Sequence, residues 1–270
     1  MKILNGLELA EFIKERQAKA VRGLRQAYGV EPKLAILVTV ENPVIEIYMK
    51  LKKRYGVDVL VDVEIHRIKQ EQIKETIKKL NEDSSVHGII VQLPLEDSSE
   101  TEEVLNLVNP EKDVDALGKN ALLEPATPTA ILWLLAGYAV EVKNKKVVII
   151  GKGKLVGQPL SRMLLQSGVN VVSCDSSDDI VAETLTADII ITATGKPGVL
   201  SSKMIPKNAA VVDAGVAVEE GVAVGDLAPD VYEREDLKIT PKKGGVGPLT
   251  VCALFENVIK SAKISAGISK

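Results

Sequence analysis

A glycine-rich loop that follows a buried strand in mid-chain is the feature that most constrains the fold. Residues 145–150 read KKVVII and run into the loop 151–157, GKGKLVG, where the helical pattern LVGQPLSRMLLQSG begins. This order forms the turn that holds a dinucleotide pyrophosphate, because backbone N–H groups and the helix dipole attract phosphate. In a Rossmann domain it is the first strand-to-helix turn. The long segment before it is therefore expected to hold the substrate.

The bulk composition excludes several classes of protein. At 270 residues, 46% of them hydrophobic, the chain has room for about two domains with cores of their own. Its charges are interspersed and sum to −3, which leaves no basic field for a nucleic acid or an anionic membrane. Two distant cysteines and two histidines show no ligand spacing, so reduced thiols and no metal are expected. We find no signal-peptide or membrane-span pattern and expect a cytoplasmic protein.

Apolar, β-branched runs alternate with amphipathic stretches along most of the chain. This alternation predicts parallel sheets built from βαβ units, with helices on both faces. Seven strands are too many for one compact sheet in this chain, so two sheets are expected. The runs begin at Lys33, Val61, Gly88, Lys145, Val169, Asp188 and Ala209.

We therefore predict an α/β protein of two domains. The first is a three-layer α/β substrate domain over residues 1–127, and the second is a Rossmann-type parallel-sheet cofactor domain over residues 128–246. The polar connection KNALLEPATP marks the boundary between them. Residues 247–270 have the pattern of a long helix that returns to the first domain.

The glycine spacing is GxGxxxG, which is a weak signal by itself and gains weight from its strand and helix. Thr194 and Gly195 end another strand and are expected to form a second loop over the same cleft. Asp175 lies where a ribose-binding acid would favour NAD. Lys152, Lys154 and Ser176 favour NADP instead, because cations and a hydroxyl suit a 2′-phosphate. The residues alone leave the nucleotide open.

Tyr48 and Lys52 lie four residues apart in the helical pattern IYMKLKKRYG, on one face. An aromatic ring can stack on a flat ligand, and a lysine in a partly dry pocket has a lowered pKa and can transfer protons. The alternative is a solvated basic face, because Lys50, Lys53 and Arg54 surround Lys52. Local sequence does not decide between the two.

Further candidate residues follow the substrate-domain strands. Gln92 and Pro94 follow the apolar run GIIV, at the carboxyl end where α/β proteins bind ligands. Asp115 is suited either to accept hydrogen bonds from an amino-substituted heterocycle or to cap a turn or helix. The run 244–250, GGVGPLT, either allows a ligand close to the backbone or is a flexible joint.

The motifs YMKLK, VQLPL, KDVDAL, PATP, GKGKLVGQP, TGKPG and GGVGPLT occur in this order. Together they resemble the bifunctional methylenetetrahydrofolate dehydrogenase/cyclohydrolase family over almost the whole chain. The resemblance implies an NADP-dependent enzyme of one-carbon metabolism, serving purine, methionine and histidine biosynthesis. It would oxidise 5,10-methylenetetrahydrofolate to the methenyl form and hydrolyse that to 10-formyltetrahydrofolate in one interdomain cleft. The resemblance also implies that the protein is a homodimer.

The resemblance implies a role for each substrate-domain candidate. Tyr48 stacks on the folate, Lys52 is the catalytic lysine with Gln92 as its partner, and Asp115 holds the pterin. These four form the implied catalytic set, and Pro94 joins them in binding substrate. The implied boundary between folate and nicotinamide is formed by Gly244, Gly245 and Pro248.

The implied nucleotide site departs from the family pattern. Members carry an Arg-Ser pair in the glycine loop, where Lys152 and Gly153 stand here, and a serine that Ser176 matches. A lysine pairs with phosphate as a point charge, so NADP remains favoured, with NAD possible. Other departures, at Ile45, Glu96, Ala116 and Lys242–Lys243, change no catalytic group. The residues expected at the nucleotide are Gly151, Lys152, Gly153, Lys154, Val156, Gly157, Ser176, Thr194, Gly195, Gly215, Gly245 and Thr250.

Two other functions are weighed against this one. A short-chain dehydrogenase shares the Tyr48-x-x-x-Lys52 pair, but it places its glycine loop before that pair rather than after it. A non-enzymatic NADP-sensing module is disfavoured because the catalytic set is intact. A turnover assay separates the enzyme from the sensing module.

Overall fold

The computed structural model describes residues 1–219 and 222–268, which form an α/β protein. The strands are β1 (Lys2–Ile3), β2 (Lys33–Val38), β3 (Asp62–Arg67), β4 (Gly88–Val91), β5 (Lys146–Ile150), β6 (Asn170–Cys174), β7 (Ile189–Thr192), β8 (Ala210–Asp213), β9 (Ala217–Glu219), β10 (Val222–Val224) and β11 (Lys238–Ile239). The helices are α1 (Gly6–Tyr28), α2 (Pro43–Val59), α3 (Ile73–Glu82), α4 (Thr101–Leu105), α5 (Ala126–Gly137), α6 (Gly157–Gln166), α7 (Ile180–Thr184) and α8 (Val246–Ser265). Short 3-10 helices cover Gln70–Gln72, Ser98–Glu100, Ser202–Met204 and Pro229–Glu233.

Each of the seven predicted runs contains a strand, and these strands are β2 to β8. The apolar runs are continuous because parallel strands with helices on both faces are buried on both sides. The remaining strands were missed. β1 and β11 have 2 residues each, and β9 and β10 have 3 each, which is too short for a periodic pattern to register.

The chain divides into two compact units, and the first is named the folate unit after the ligand that the resemblance implies for it. It contains Glu11–Ala126 and the chain from Val251 onward. Its parallel sheet has the order β3-β2-β4. One sheet face packs on α3 and α4, whose apolar residues Ile73, Ile77 and Val104 are fully buried. These helices have apolar residues at helical spacing, which gives each of them one buried face.

The C-terminal helix α8 belongs to the folate unit from Val251 onward. The side-chain amide of Asn257 donates to Val114 O at 2.9 Å and to Glu124 O at 2.8 Å. The Ser261 hydroxyl donates to the carbonyl of His87. Buried polar side chains that satisfy backbone carbonyls fix a helix in one register. Residues 269 and 270 of the predicted helical segment lie outside the described residues.

The second unit, called here the nucleotide unit, contains Met1–Ala10 and Thr127–Thr250. Its six-stranded sheet has the order β1-β11-β8-β7-β5-β6, with every pairing parallel. The chain passes from β5 to β6 on one side and then to β7 on the other. This reversal makes a topological switch point at the carboxyl ends of β5 and β7, the edge where open α/β sheets bind ligands.

The position of residues 1–10 differs from the predicted boundary, which placed all of 1–127 in the substrate domain. β1 extends the nucleotide unit's sheet by pairing with β11, Lys2 opposite Lys238 and Ile3 opposite Ile239. Leu4 N also donates to Ile239 O at 2.8 Å. Backbone bonds to a two-residue edge strand leave no side-chain pattern, so the sequence did not predict this pairing.

The described ranges contain neither a membrane-spanning helix nor a cluster of metal ligands. None of the helices placed there combines the length and the apolar character that crossing a membrane requires. Within the same ranges, no three or more His, Cys, Asp or Glu side chains group as metal ligands would. Cys174 and Cys252 are buried free thiols.

Candidate functional site

Helix α2 positions the first two candidates of the folate unit. Its start is fixed by Asn42, whose side chain accepts from Ile45 N at 2.9 Å, and by Pro43 in the first turn. Tyr48 and Lys52 follow one turn apart on the same face. The Tyr48 ring is 40% exposed and therefore open to a flat ligand.

Lys52 and Gln92 form the contact that the sequence predicted. Lys52 Nζ donates to Gln92 Oε1 at 3.0 Å. Gln92 directly follows β4, and its backbone N donates to Leu37 O of β2 at 2.9 Å. Its own side-chain amide nitrogen donates to Leu93 O at 2.9 Å, which turns the oxygen toward the lysine. Pro94, next along this loop, is exposed, and the Leu93–Pro94 peptide bond is cis.

The electrostatics of Lys52 differ from those of the basic residues around it. Burial of its ammonium lowers the pKa of Lys52, and the charge of Asp115 opposes that shift less strongly. Lys50, Lys53 and Arg54 are exposed. The alternative of a solvated basic face therefore fits those three and not Lys52. A lysine with a lowered pKa reaches its neutral, proton-accepting form closer to neutral pH.

Asp115 is the second titratable group of this pocket. Burial raises the pKa of its carboxyl, and the positive charge of Lys52 acts in the opposite direction. Each of the two groups therefore acts electrostatically on the other. Burial thus shifts both toward their neutral forms, a combination typical of sites that transfer protons.

A neighbouring aspartate, Asp113, does the structural work that was considered for Asp115. Asp113 is buried and its carboxylate accepts from Gly118 N at 2.8 Å, closing the turn that carries Asp115. Within this turn Ala116 has φ 55°, a left-handed conformation. Neither Asp113 nor Asn257, which holds the carbonyl of Val114, was singled out from sequence. The sequence feature that could have indicated Asp113 is the spacing of the two aspartates in KDVD, because this spacing puts only one of them in the pocket.

In the nucleotide unit, the glycine loop has the geometry of a phosphate cradle. Gly151 has φ +114°, and a Cβ there would lie 2.5 Å from Ala193 O. A Cβ on Gly157 would lie 1.8 Å from Gly151 O, so the loop closes on the start of α6 only with glycine. Gly153 has nothing within 4 Å of its Cβ position and faces open space. With Val156 at the N-cap of α6, this loop fits a bound pyrophosphate.

A groove of about 450 Å³ lies beside this loop. Lys152, Gly157, Arg162 and Ser173 are among the residues that line it. The Ser173 hydroxyl is buried and has no hydrogen-bond partner among the described residues. An unpaired hydroxyl beside two cationic side chains fits an anionic or polar part of a nucleotide. Arg162 and Ser173 were not among the predicted residues.

Lys152, which favours NADP, and Asp175, which favours NAD, form an ion pair with each other. Lys152 Nζ lies 2.6 Å from Asp178 Oδ2 and 3.2 Å from Asp175 Oδ2. Asp175 also accepts from the Ser177 hydroxyl at 2.6 Å, and hydrogen bonds from Ser177 together with Lys152 lower the pKa of Asp175 to about 2. Sequence reasoning considered neither Asp178 nor this pairing. Ser176 is exposed at the same turn, and Lys154 is exposed in the glycine loop.

Three further nucleotide candidates lie close together around a residue that the sequence analysis missed. Thr194 N donates to Asp226 Oδ2 at 2.7 Å, and Gly195 continues this loop with φ +65°. A Cβ on Gly215 would lie 1.9 Å from Asp226 Oδ1. Asp226 therefore lies behind both loops at the carboxyl edge of the sheet. The sequence feature that could have indicated Asp226 is the Gly-Asp pair at 225–226.

The glycine run before α8 has a packing role inside the nucleotide unit. Gly244 has φ +84°, and its carbonyl accepts from Leu7 N at 3.0 Å. A Cβ on Gly6 would lie 1.8 Å from Gly245 O. The close approach that these glycines allow is therefore between two backbone segments of the chain itself. Pro248 and Thr250 follow in α8, with Thr250 Oγ1 3.4 Å from Val246 O, and the predicted contact of this run with folate stays a prediction.

Comparison with known proteins covers both units. Residues 4–115 match the description "Tetrahydrofolate dehydrogenase/cyclohydrolase, catalytic domain", and residues 125–266 match the NAD(P)-binding domain of the same name. The chain is 34% identical over 278 residues to "Bifunctional protein FolD" of Geotalea daltonii, covering 97% of this chain and 99% of that protein. The protein of the same name from Helicobacter hepaticus is 36% identical over 277 residues, covering 97% and 96%.

Two solved structures are similar over nearly the whole chain. The bifunctional FolD methylenetetrahydrofolate dehydrogenase/cyclohydrolase of Campylobacter jejuni has a TM-score of 0.91 and 34% identity, covering 98% of this chain and 99% of that one. The Trypanosoma brucei dehydrogenase-cyclohydrolase, complexed with NADP and an inhibitor, has a TM-score of 0.91 and 28% identity, with 97% of each chain covered.

Proposed function

The chain belongs to the tetrahydrofolate dehydrogenase/cyclohydrolase family, and from that premise we propose how its own residues carry out the two reactions. Family membership confirms the resemblance drawn from the seven motifs. The protein is an enzyme that oxidises 5,10-methylenetetrahydrofolate and hydrolyses the methenyl product to 10-formyltetrahydrofolate. The observation that carries the assignment of residues is the Lys52–Gln92 contact at 3.0 Å, together with the half-buried Asp115, whose charge acts on Lys52.

The hydrolytic step uses the proton-transfer capacity of Lys52. Water adds to the methenyl carbon and its oxygen loses one proton, which gives a neutral hydroxy adduct. The bond from this carbon to N5 then breaks as the hydroxyl proton leaves and N5 gains a proton, so that the formyl group stays on N10. A neutral Lys52 amine accepts the proton from the attacking water, and Gln92 Oε1 holds the amine in place. Asp115 is proposed to accept hydrogen bonds from the pterin, and Tyr48 to stack on its ring. Pro94 borders the same loop.

The nucleotide unit is proposed to bind NADP⁺, with NAD⁺ as the alternative. When bound, the nucleotide supplies the acceptor for the hydride that leaves the one-carbon bridge. The loop 151–157 receives the pyrophosphate, and Lys152 and Ser176 are at the turn expected to meet a 2′-phosphate. Lys154, Thr194, Gly195, Gly215, Gly245 and Thr250 remain proposed nucleotide contacts. Gly244, Gly245 and Pro248 are proposed to border the folate.

A continuous absorbance assay tests this function. Purified protein is mixed with methylenetetrahydrofolate and either NADP⁺ or NAD⁺, and reduced nicotinamide and methenyl-folate are followed together. Reduction without lasting methenyl build-up is the expected result, and the faster nucleotide names the cofactor. Methenyl accumulation beyond its uncatalysed hydrolysis would contradict the hydrolytic role of Lys52. Absence of reduction with either nucleotide would overturn the dehydrogenase.

The alternatives considered at the outset are not favoured. A short-chain dehydrogenase would need its glycine loop before the Tyr48-Lys52 pair, and here β5 and its loop follow that pair by about a hundred residues. A non-enzymatic sensing module would not need a lysine whose pKa burial has lowered.

We also propose the cellular setting. The substrates are tetrahydrofolate one-carbon derivatives, and the protein is proposed to work in the cytoplasm as a homodimer, without nucleic acid or membrane. The interspersed charges and the net charge of −3 support the absence of an anionic polymer partner. Light scattering coupled to size-exclusion chromatography tests the dimer, and a mass of one chain would contradict it.

A further inference from the structure

Asp226, in the nucleotide unit, is a fully buried carboxylate. It has no role in the reactions proposed above. It follows β10 and binds the backbone of the loop after β7. Its Oδ2 accepts from Thr194 N at 2.7 Å, and its Oδ1 accepts from Lys196 N at 3.0 Å. One carboxylate thus holds the N–H groups on both sides of Gly195, whose positive φ makes this loop a tight turn.

The same carboxylate also lies against the loop after β8. A Cβ on Gly215 would lie 1.9 Å from Asp226 Oδ1 and 2.5 Å from Oδ2. Only glycine therefore lets the β8 loop pack on this side chain. Asp226 is thus the shared support of two loops, and both leave the sheet at the carboxyl edge that forms the switch point.

A second carboxylate, Asp213, holds Asp226 in turn. Asp213 Oδ1 accepts from Gly215 N at 3.0 Å and from Asp226 N at 3.1 Å, while Oδ2 accepts from Leu227 N at 3.3 Å. A Cβ on Gly225 would lie 2.0 Å from Asp213 Oδ2. These contacts fix the backbone at Asp226, so its carboxylate has little freedom to move.

We propose that Asp226 is a positioning residue for the dinucleotide, acting by holding the Thr194–Lys196 loop and Gly215 in their binding conformation. This inference rests on the proposed nucleotide binding by this unit. Thr194, Gly195 and Gly215 are the nucleotide candidates that Asp226 touches or holds. A loop already ordered before binding loses less conformational entropy when the ligand arrives.

The test compares Asp226→Asn with the wild-type protein. Asparagine keeps the size of the side chain but replaces one acceptor oxygen with a donor nitrogen. That nitrogen would face Thr194 N–H or Lys196 N–H, donor against donor, and release one end of the loop. Asp230→Asn is the matched control, because the Asp230 carboxylate also accepts a backbone N–H, from Ser202 at 3.2 Å, but is exposed.

Two readouts separate positioning from a general structural role. The dissociation constant for NADP⁺ is measured by calorimetry, and methenyl-folate hydrolysis, whose proposed groups lie in the folate unit, is measured on the same preparation. For Asp226→Asn we expect about a tenfold weaker NADP⁺ affinity and an equally raised KM for NADP⁺. Hydrolysis and the KM for folate stay within twofold of wild type, and the control matches wild type throughout.

Three outcomes would overturn the inference. These are unchanged NADP⁺ affinity in Asp226→Asn, an equal loss in the Asp230→Asn control, and a fall in hydrolysis alongside nucleotide binding. Gly215→Ala provides a second route, because its added methyl would displace the same carboxylate, and it is expected to weaken NADP⁺ binding with hydrolysis retained. Failure of both variants to fold would assign Asp226 to stability alone. Absence of turnover in wild type that still binds NADP⁺ would overturn the proposed dehydrogenase and leave this comparison valid.

Discussion

Two lysines of the chain, Lys52 and Lys152, each interact electrostatically with an aspartate, and burial separates the chemistry of the two pairs. In the folate unit, burial lowers the pKa of Lys52 and raises that of Asp115. In the nucleotide unit, Lys152 and Asp175 are solvent-accessible, and the pKa of Lys152 is raised and that of Asp175 lowered by hydrogen bonding. The same residue types are thus driven toward neutrality in one place and toward full charge in the other. Removal from water favours the neutral forms of both groups, whereas direct contact in a solvent-accessible place favours the charged forms of an ion pair.

The largest expected effect comes from removing the buried amine. Lys52→Met keeps the length and apolar stem of the side chain but cannot accept a proton. We expect methenyl-folate hydrolysis to fall by about 100-fold or more, the usual contribution of a general base. NADP⁺ affinity, measured by calorimetry, stays within twofold. Lys53→Met, at an exposed neighbour, is the control, and near-wild-type hydrolysis by Lys52→Met would remove Lys52 from the mechanism.

The pH profile gives the next largest effect. In the proposed mechanism Lys52 acts as the base in its neutral form, so we expect the enzymatic rate of hydrolysis to fall as pH decreases through the lowered pKa of Lys52. The charge of Asp115 raises that pKa, so Asp115→Asn removes the raising influence and moves the acidic limb to lower pH. The measurement is kcat/KM across pH after subtraction of the uncatalysed rate. If the acidic limb of the Asp115→Asn profile moved to higher pH, the electrostatic coupling between Asp115 and Lys52 would be contradicted.

A smaller effect is expected at the exposed pair. Asp178→Asn removes one of the two carboxylates that occupy Lys152 and leaves the ammonium available to a 2′-phosphate. We expect NADP⁺ affinity to increase about threefold, in line with the modest energies of exposed ion pairs. NAD⁺ affinity stays unchanged. Asp188→Asn, which breaks the Lys145–Asp188 pair in the same unit, is the control, and equal gains for both nucleotides would place Lys152 away from the phosphate.

The smallest effect concerns the turn that carries Asp115. Ala116 has φ 55°, where an alanine is strained and glycine is not. Ala116→Gly is expected to increase the free energy of unfolding by about 0.5 kcal/mol, since relief of strain exceeds the entropy cost of glycine. Urea denaturation measures the change, with Ala18→Gly inside α1 as a destabilised control. A loss of stability would show that the turn favours alanine.

The sequence predicted the fold class and the seven main strands because buried parallel strands and amphipathic helices leave strong periodic patterns. The resemblance carried by the local motifs implied that Gln92 is the partner of Lys52, and the two side chains are in hydrogen-bond contact. Their roles in the reaction stay a prediction. The sequence did not predict the position of residues 1–10, which depends on backbone pairing alone. Asp113 and Asp226 were missed for a related reason. Asp113, within KDVD, and Asp226, directly after Gly225, each resemble an ordinary turn residue, and Asp226 finds its loop partners about thirty positions away.

The pairing of β1 with β11 has a consequence for how the protein is made. Lys2–Ile3 bond to Lys238–Ile239, which are synthesised more than two hundred residues later. The folate unit likewise draws on the chain from Val251 onward. Neither unit is a contiguous piece of polypeptide, so each must wait for late-synthesised residues before its contacts are complete. Excision at the boundary near residue 127 would therefore yield two fragments with open edges rather than two independent domains.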